Sequence, residues 1–168
     1  MTGVQTCALP IAFELLTYPQ QPDSDTLALA LQAQFKEHGI RVTIRQVSDT
    51  TAEMEGSNWD IGVVSNGTVS FGGNPIPPLQ RYYRTGGNRN YSHISDPELD
   101  SLIDELAVTL DGTAAKDLLV RIQQRIGDQG YNGFCGRRRP AVVVGQRVPN
   151  YTPQHALIWV DATTRVGA

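Results

Sequence analysis

Three histidines, His38, His93 and His155, are the first residues to test for metal ligation or base catalysis, and their spacing supports neither. No HxxxH or CxxC pair would clamp a cation, no GxSxG would present a nucleophile, and no GxxxxGK[ST] loop would cradle phosphates. His38 falls in the last turn of an expected helix, where a cation suits the dipole. His93 and His155 lie in polar segments and read as solvated. Asp100, Asp104 and Glu105 sit close together on one helix, but a general acid/base pair needs burial, and their pattern puts Asp100 and Asp104 on the polar face. Ser65 or Ser70 with His93 would make a small hydrolase, yet no motif and no base-orienting partner accompanies them. "FGGNP" and "TGGNRN" could form backbone nests for an anion, although paired glycines more commonly serve turns. Tyr82, Tyr83 and Tyr91 flank the second of these, either packing the loop onto a sheet or walling a ligand. No catalytic constellation emerges. The sequence offers instead a long glycine- and proline-rich loop, "NGTVSFGGNPIPP", bounded by aromatics.

The elements around that loop are legible. "AFELLTY" is a short apolar run closed by Pro19 and Pro22, which predicts a buried strand. "PDSDTLALALQAQFKEHGI" carries a cap region at Asp23 to Asp25, an apolar stripe at Leu27, Ala28, Leu31 and Phe35, and Gly39 where a left-handed cap is wanted. "IRVTIRQV" alternates Ile40, Val42 and Ile44 with polar residues, the period of a strand with one wet face. Strand, helix and strand in that order predict a βαβ unit with parallel strands. A short helical turn is expected over 50–55, and "WDIGVVS" reads as a third strand. The loop then lies at a strand's C-terminal end, where open α/β sheets bind ligands, and runs into "LQRYYRTGGNRNYSHIS". "SDPELDSLIDELAVTL" predicts a helix capped by Ser95 or Asp96, with Pro97 in first position and Leu99, Leu102, Ile103, Leu106 and Leu110 on one face. A second helix follows with Ala115, Leu118, Leu119, Ile122 and Ile126, and "AVVVG" and "ALIWV" read as tail strands. The fold class is α/β.

Composition narrows the function classes. A net charge of −3, from 14 basic and 17 acidic residues, gives no basic surface for nucleic acid, and Arg137 to Arg139 is too short a run to supply one. No stretch is apolar enough to span a bilayer as a helix. Two cysteines, Cys7 and Cys135, do not make a disulfide scaffold. The opening "MTGVQTCALPI" has no Lys or Arg and a proline inside its apolar cluster, unlike a secretory signal.

The order of these pieces, above all "HGIRVTIR" and "NYSHISDPELDSLIDEL", resembles the C-terminal lobe of the family 5 solute-binding proteins that serve dipeptide, oligopeptide and nickel ABC importers. The resemblance runs from Phe13 to about Ile126. It implies a lobe of a type II periplasmic-binding-protein-like fold, truncated at its N-terminus, with no enzymatic activity, cofactor or resident metal. Residues 1–11 then resemble a translated sequencing adapter, 12–135 form the ligand-binding lobe, and 136–168 return to a first lobe. The implied partners are a small solute, such as a peptide or metal chelate, and the permease subunits, without nucleic acid. The implied location is periplasmic or on the extracellular face of the membrane. Peptide binders of the family place a Trp, and three residues later a carboxylate for the peptide ammonium, between the strand's Asp and an Asp-Pro. Counted from Asp60 to Pro75, Thr68 stands at the Trp position, Phe71 at the carboxylate and Asn74 at the Asp. A buried ammonium without a carboxylate is costly, so the pattern fits a chelate, a capped peptide, an opine-like compound or a sugar. Asn66, Thr68 and Asn74 would supply neutral hydrogen bonds and Phe71 an apolar wall. The alternatives are a stand-alone α/β interaction domain whose tail strands pair with another protein, and the small hydrolase.

Overall fold

The apolar run that opens the described chain forms a strand whose C-terminal half is buried on both faces. In a computed structural model that describes residues 11–19, 22–56, 58–64, 71, 73–136 and 144–148, β1 (Ala12–Thr17) has Leu15, Leu16 and Thr17 wholly buried. The chain divides into two units, Met1–Asn66 and Gly67–Ala168.

In the first unit α1 (Pro22–Glu37) leads to β2 (Arg41–Gln46), which pairs parallel to β1 in the register Leu15 to Ile44. Gly39, at φ 74°, makes the left-handed exit from α1, a conformation without steric cost only for glycine. After α2 (Thr50–Glu55), capped by the Asp49 carboxylate, β3 (Ile61–Gly62) joins the other side of β1 to give the order β2-β1-β3, all parallel to β1. The third strand is much shorter than "WDIGVVS" suggests, although the Val63 N–H still donates to the Leu16 carbonyl. One face of the sheet packs Leu15, Val42 and Val63 against Ala28, with Leu27, Leu31 and Phe35 around them. The polar side chains form a second ladder: Arg45 reaches Glu14 at 2.7 Å, Glu53 at 2.8 Å and the Asn58 carbonyl at 3.0 Å.

The second unit is helical where it is described. The end of the expected loop, Ile76 to Pro78, together with the residues after it, forms α3 (Ile76–Tyr82). Pro77 and Pro78 disguise it, but they occupy the first turn, where backbone N–H groups have no intrahelical acceptor to lose. Helices α4 (Pro97–Val108) and α5 (Gly112–Asp128) bury Leu99, Leu102, Ile103 and Leu106 against Leu118 and Ile122, with Ala115, Leu119 and Ile126 alongside. Leu110 is not part of that face: α4 ends at Val108, and Leu110 is fully exposed beyond its cap. Of the expected tail strands, "ALIWV" and most of "AVVVG" lie outside the described residues. Val144 and Gly145 are described and lead into a turn closed by the Val148 N–H to the Gly145 carbonyl. Among the described residues no helix is long and apolar enough to cross a membrane.

Candidate functional site

The loop after β3 was expected to carry Asn66, Thr68, Phe71 and Asn74. Asn66 and Thr68, with Ser65 and Ser70, lie outside the described residues. Phe71 is half-buried, and its carbonyl accepts the Asn74 N–H at 3.1 Å. Asn74 is exposed, and its side-chain oxygen accepts the Ile76 N–H at 2.9 Å, which turns the chain into α3. That bond leaves the Asn74 side-chain NH2 without a partner among the described residues.

The Arg81 guanidinium lies over the Phe71 ring, 5.7 Å from its centre. The two are neighbours because α3 brings residue 81 back over the loop, a contact hidden from sequence reading by the two prolines. A guanidinium over an aromatic face is attracted by the ring quadrupole. The Arg81 Nε–H also donates to the Asn88 side-chain oxygen at 3.3 Å.

The chain from Tyr83 to Ser95 is held by acceptors that local pattern does not show. Asp104 takes two hydrogen bonds from Arg84, at 2.9 and 2.8 Å, and that guanidinium holds its carboxyl below the usual range. Asp100 accepts the Thr85 N–H at 2.8 Å. These two carboxylates therefore pin the turn, rather than facing solvent alone as the polar helix face suggested. Glycines of "TGGNRN" serve the same turn. Gly86 adopts φ 73°, and a Cβ on Gly87 would meet the Gln80 and Arg81 carbonyl oxygens at 2.5 and 2.6 Å. The Gly87, Arg89 and Asn90 N–H groups all donate to backbone carbonyls, so they do not form a nest for an anion. Asn90 clasps the end of the turn by bonding the Ile94 N–H and both the Arg84 and Ile94 carbonyls, and His93 is exposed at φ 52° between them.

Tyr83 packs into the helical core and accepts the Asn132 side-chain amide at 2.8 Å; burial raises its pKa, with that bond opposing. Tyr91 has its hydroxyl buried with no partner among the described residues. Asp96 is the most strongly perturbed acid. Bidentate Arg125 bonds at 2.8 and 3.1 Å dominate and burial opposes them, while the Leu99 N–H and the Tyr131 hydroxyl add support, and the pKa falls to about 2. It caps α4 and ties α5 to it, which is a structural role. Among the described residues no group of three or more His, Cys, Asp or Glu could hold a metal ion. The described part of the site is thus a wall with an aromatic ring, a guanidinium and an amide.

Known proteins resemble this chain over much of its length. No protein-family model matches it. A Brucella melitensis protein provisionally named a binding protein is 28% identical over 104 residues, 58% of this chain and 16% of the relative. The crystal structure of a nickel ABC transporter from Bacillus halodurans superposes with a TM-score of 0.65 and 33% identity, covering 75% of this chain and 26% of that one. NikA from Staphylococcus aureus, solved in complex with Ni(L-His)2, gives 0.64 and 26%, covering 69% and 25%. The fold is that of periplasmic-binding-protein-like chains, and these neighbours are transport proteins rather than enzymes. The chain spans about a quarter of the length of each of the two solved structures.

Proposed function

We propose that this chain is the C-terminal lobe of the solute-binding component of an ABC importer of the peptide and nickel type. In this reading residues 12–135 form one wall of a cleft, 136–168 return to the other lobe, and 1–11 are foreign to the protein. The component works outside the cytoplasmic membrane and delivers its captured solute to permease subunits. Asn66, Thr68, Phe71 and Asn74 face the solute. Closure of two lobes about a hinge signals occupancy, so a single wall binds weakly.

One observation carries the reading: the same stretch that reproduces the order of strands and helices also keeps 33% identity to a nickel ABC transporter. The departures at Thr68, Phe71 and Asn74 favour a solute other than a free peptide N-terminus. Deleting the gene in its source organism tests the reading. Uptake of labelled nickel with L-histidine, or of a labelled capped peptide, is expected to fall to background; normal uptake of both would count against import.

A further inference from the structure

From Ile61 to Ser95 the chain carries no Asp or Glu, but it carries Arg81, Arg84 and Arg89. Among the described arginines, Arg45, Arg84 and Arg125 each hold at least one carboxylate at 2.7–2.8 Å, while Arg41, Arg89, Arg121 and Arg147 make no ion pair and no side-chain hydrogen bond among the described residues. Arg81 falls between the two sets: a ring on its face and an amide on its Nε position it, yet no carboxylate neutralises it among the described residues. Its backbone is fixed as well. Its carbonyl accepts the Arg89 N–H at 2.9 Å, and the close approach that requires Gly87 lies against the same carbonyl.

We propose that Arg81 is the anion contact of the solute site and that the solute presents a carboxylate to it. A guanidinium has a planar fork of donors that matches a carboxylate in two parallel bonds. The bond from Nε to Asn88 and the contact with the Phe71 ring hold the guanidinium while leaving both terminal NH2 groups without a partner among the described residues. The ordering cost is met before the ligand arrives, which is what preorganised recognition requires. The wall thus selects for negative charge, in keeping with Phe71 in place of an acid. This rests on the solute-binding reading above and adds the charge of the solute to it.

The chain, labelled with nitrogen-15 at arginine, is titrated with acetate as a minimal carboxylate and acetamide as its neutral match, following the Nε–H resonances of Arg81 and Arg84. Acetate is expected to shift Arg81 saturably, with an apparent affinity about tenfold tighter than at Arg84, because Asp104 already neutralises Arg84. Acetamide is expected to leave both unmoved. Equal responses at the two arginines, or an acetamide response matching that of acetate, would overturn the proposal. Phe71→Leu keeps an apolar side chain and is expected to weaken acetate at Arg81 about threefold by freeing the guanidinium; unchanged affinity would remove the ring from the account. Trialanine and Ni(II) with L-histidine then distinguish a peptide terminus from a chelating amino acid as the carboxylate's source. Failure of both to exceed acetate would count against a solute site. The readout is local to Arg81, so a silent Arg81 rejects this contact without touching import, and normal uptake after gene deletion rejects import without touching the contact.

Discussion

The two units of the chain solve the same problem with different chemistry. In Met1–Asn66 a parallel ladder and an apolar seam set the register, and the ion cluster of Arg45 with Glu14 and Glu53 is about one-third exposed. In Gly67–Ala168 the helices share an apolar seam too, but a carboxylate 3% exposed ties α4 to α5. A partly wet ion cluster contributes little, whereas a buried one is costly to break. The first unit should therefore respond mainly to lost volume, and the second also to lost charge.

Core truncations give the largest effects and test whether the two seams are equal. Leu15→Ala and Ile103→Ala, each at a fully buried position, are expected to cost about 3–4 kcal/mol. Residue-resolved hydrogen exchange should show the loss first in β1 and β2 for the former and in α4 and α5 for the latter. Uniform loss in both variants would erase the distinction between the units.

Charge separates them next. Asp96→Ala removes a cap and leaves Arg125, which is partly exposed, with Glu98 as its remaining carboxylate, at a cost on the order of 2 kcal/mol by denaturant unfolding. Acid should act in the same direction. The Asp96 pKa is about 2 when folded and 3.8 otherwise, so its stabilisation is complete above the higher value and fades as pH falls towards 2. The second unit should thus lose protection near pH 3 before the first, and Asp96→Asn, which still caps, should flatten that difference. Loss of both units at one pH would contradict it.

Smaller effects probe the turn beside the candidate site. Gly87→Ala forces a Cβ onto two backbone oxygens and is expected to cost about 2 kcal/mol. Arg84→Met removes an exposed ion pair and should leave the unfolding midpoint nearly unchanged, while raising amide exchange at Thr85 to Asn90.

What could be read from sequence follows how local the physics is. The Asp96 cap with Pro97, the stripe of α1 and the alternation of β2 are short-range patterns, and each matches the element found. The reading of the start of α3 as loop came from treating Pro77 and Pro78 as breakers without asking whether they stood in a first turn. Leu110 continued a period past the end of its helix. Arg84 with Asp104 and Arg125 with Asp96 join residues 20 and 29 positions apart, which no local window contains. Arg81 over Phe71 was hidden for the same reason as α3. At the site, Phe71 and Asn74 could be picked out by spacing from Asp60, but the company they keep could not.

The central claim, that this chain belongs to a solute-binding importer component, is tested most directly by sequencing the source DNA across codon 12 and upstream of it. The account expects an open frame that continues upstream through a first lobe to a signal peptide, with permease and ATPase genes alongside. A native frame that begins with "MTGVQTCALPI" and stands apart from transport genes would contradict it, and would leave a stand-alone interaction domain as the better reading.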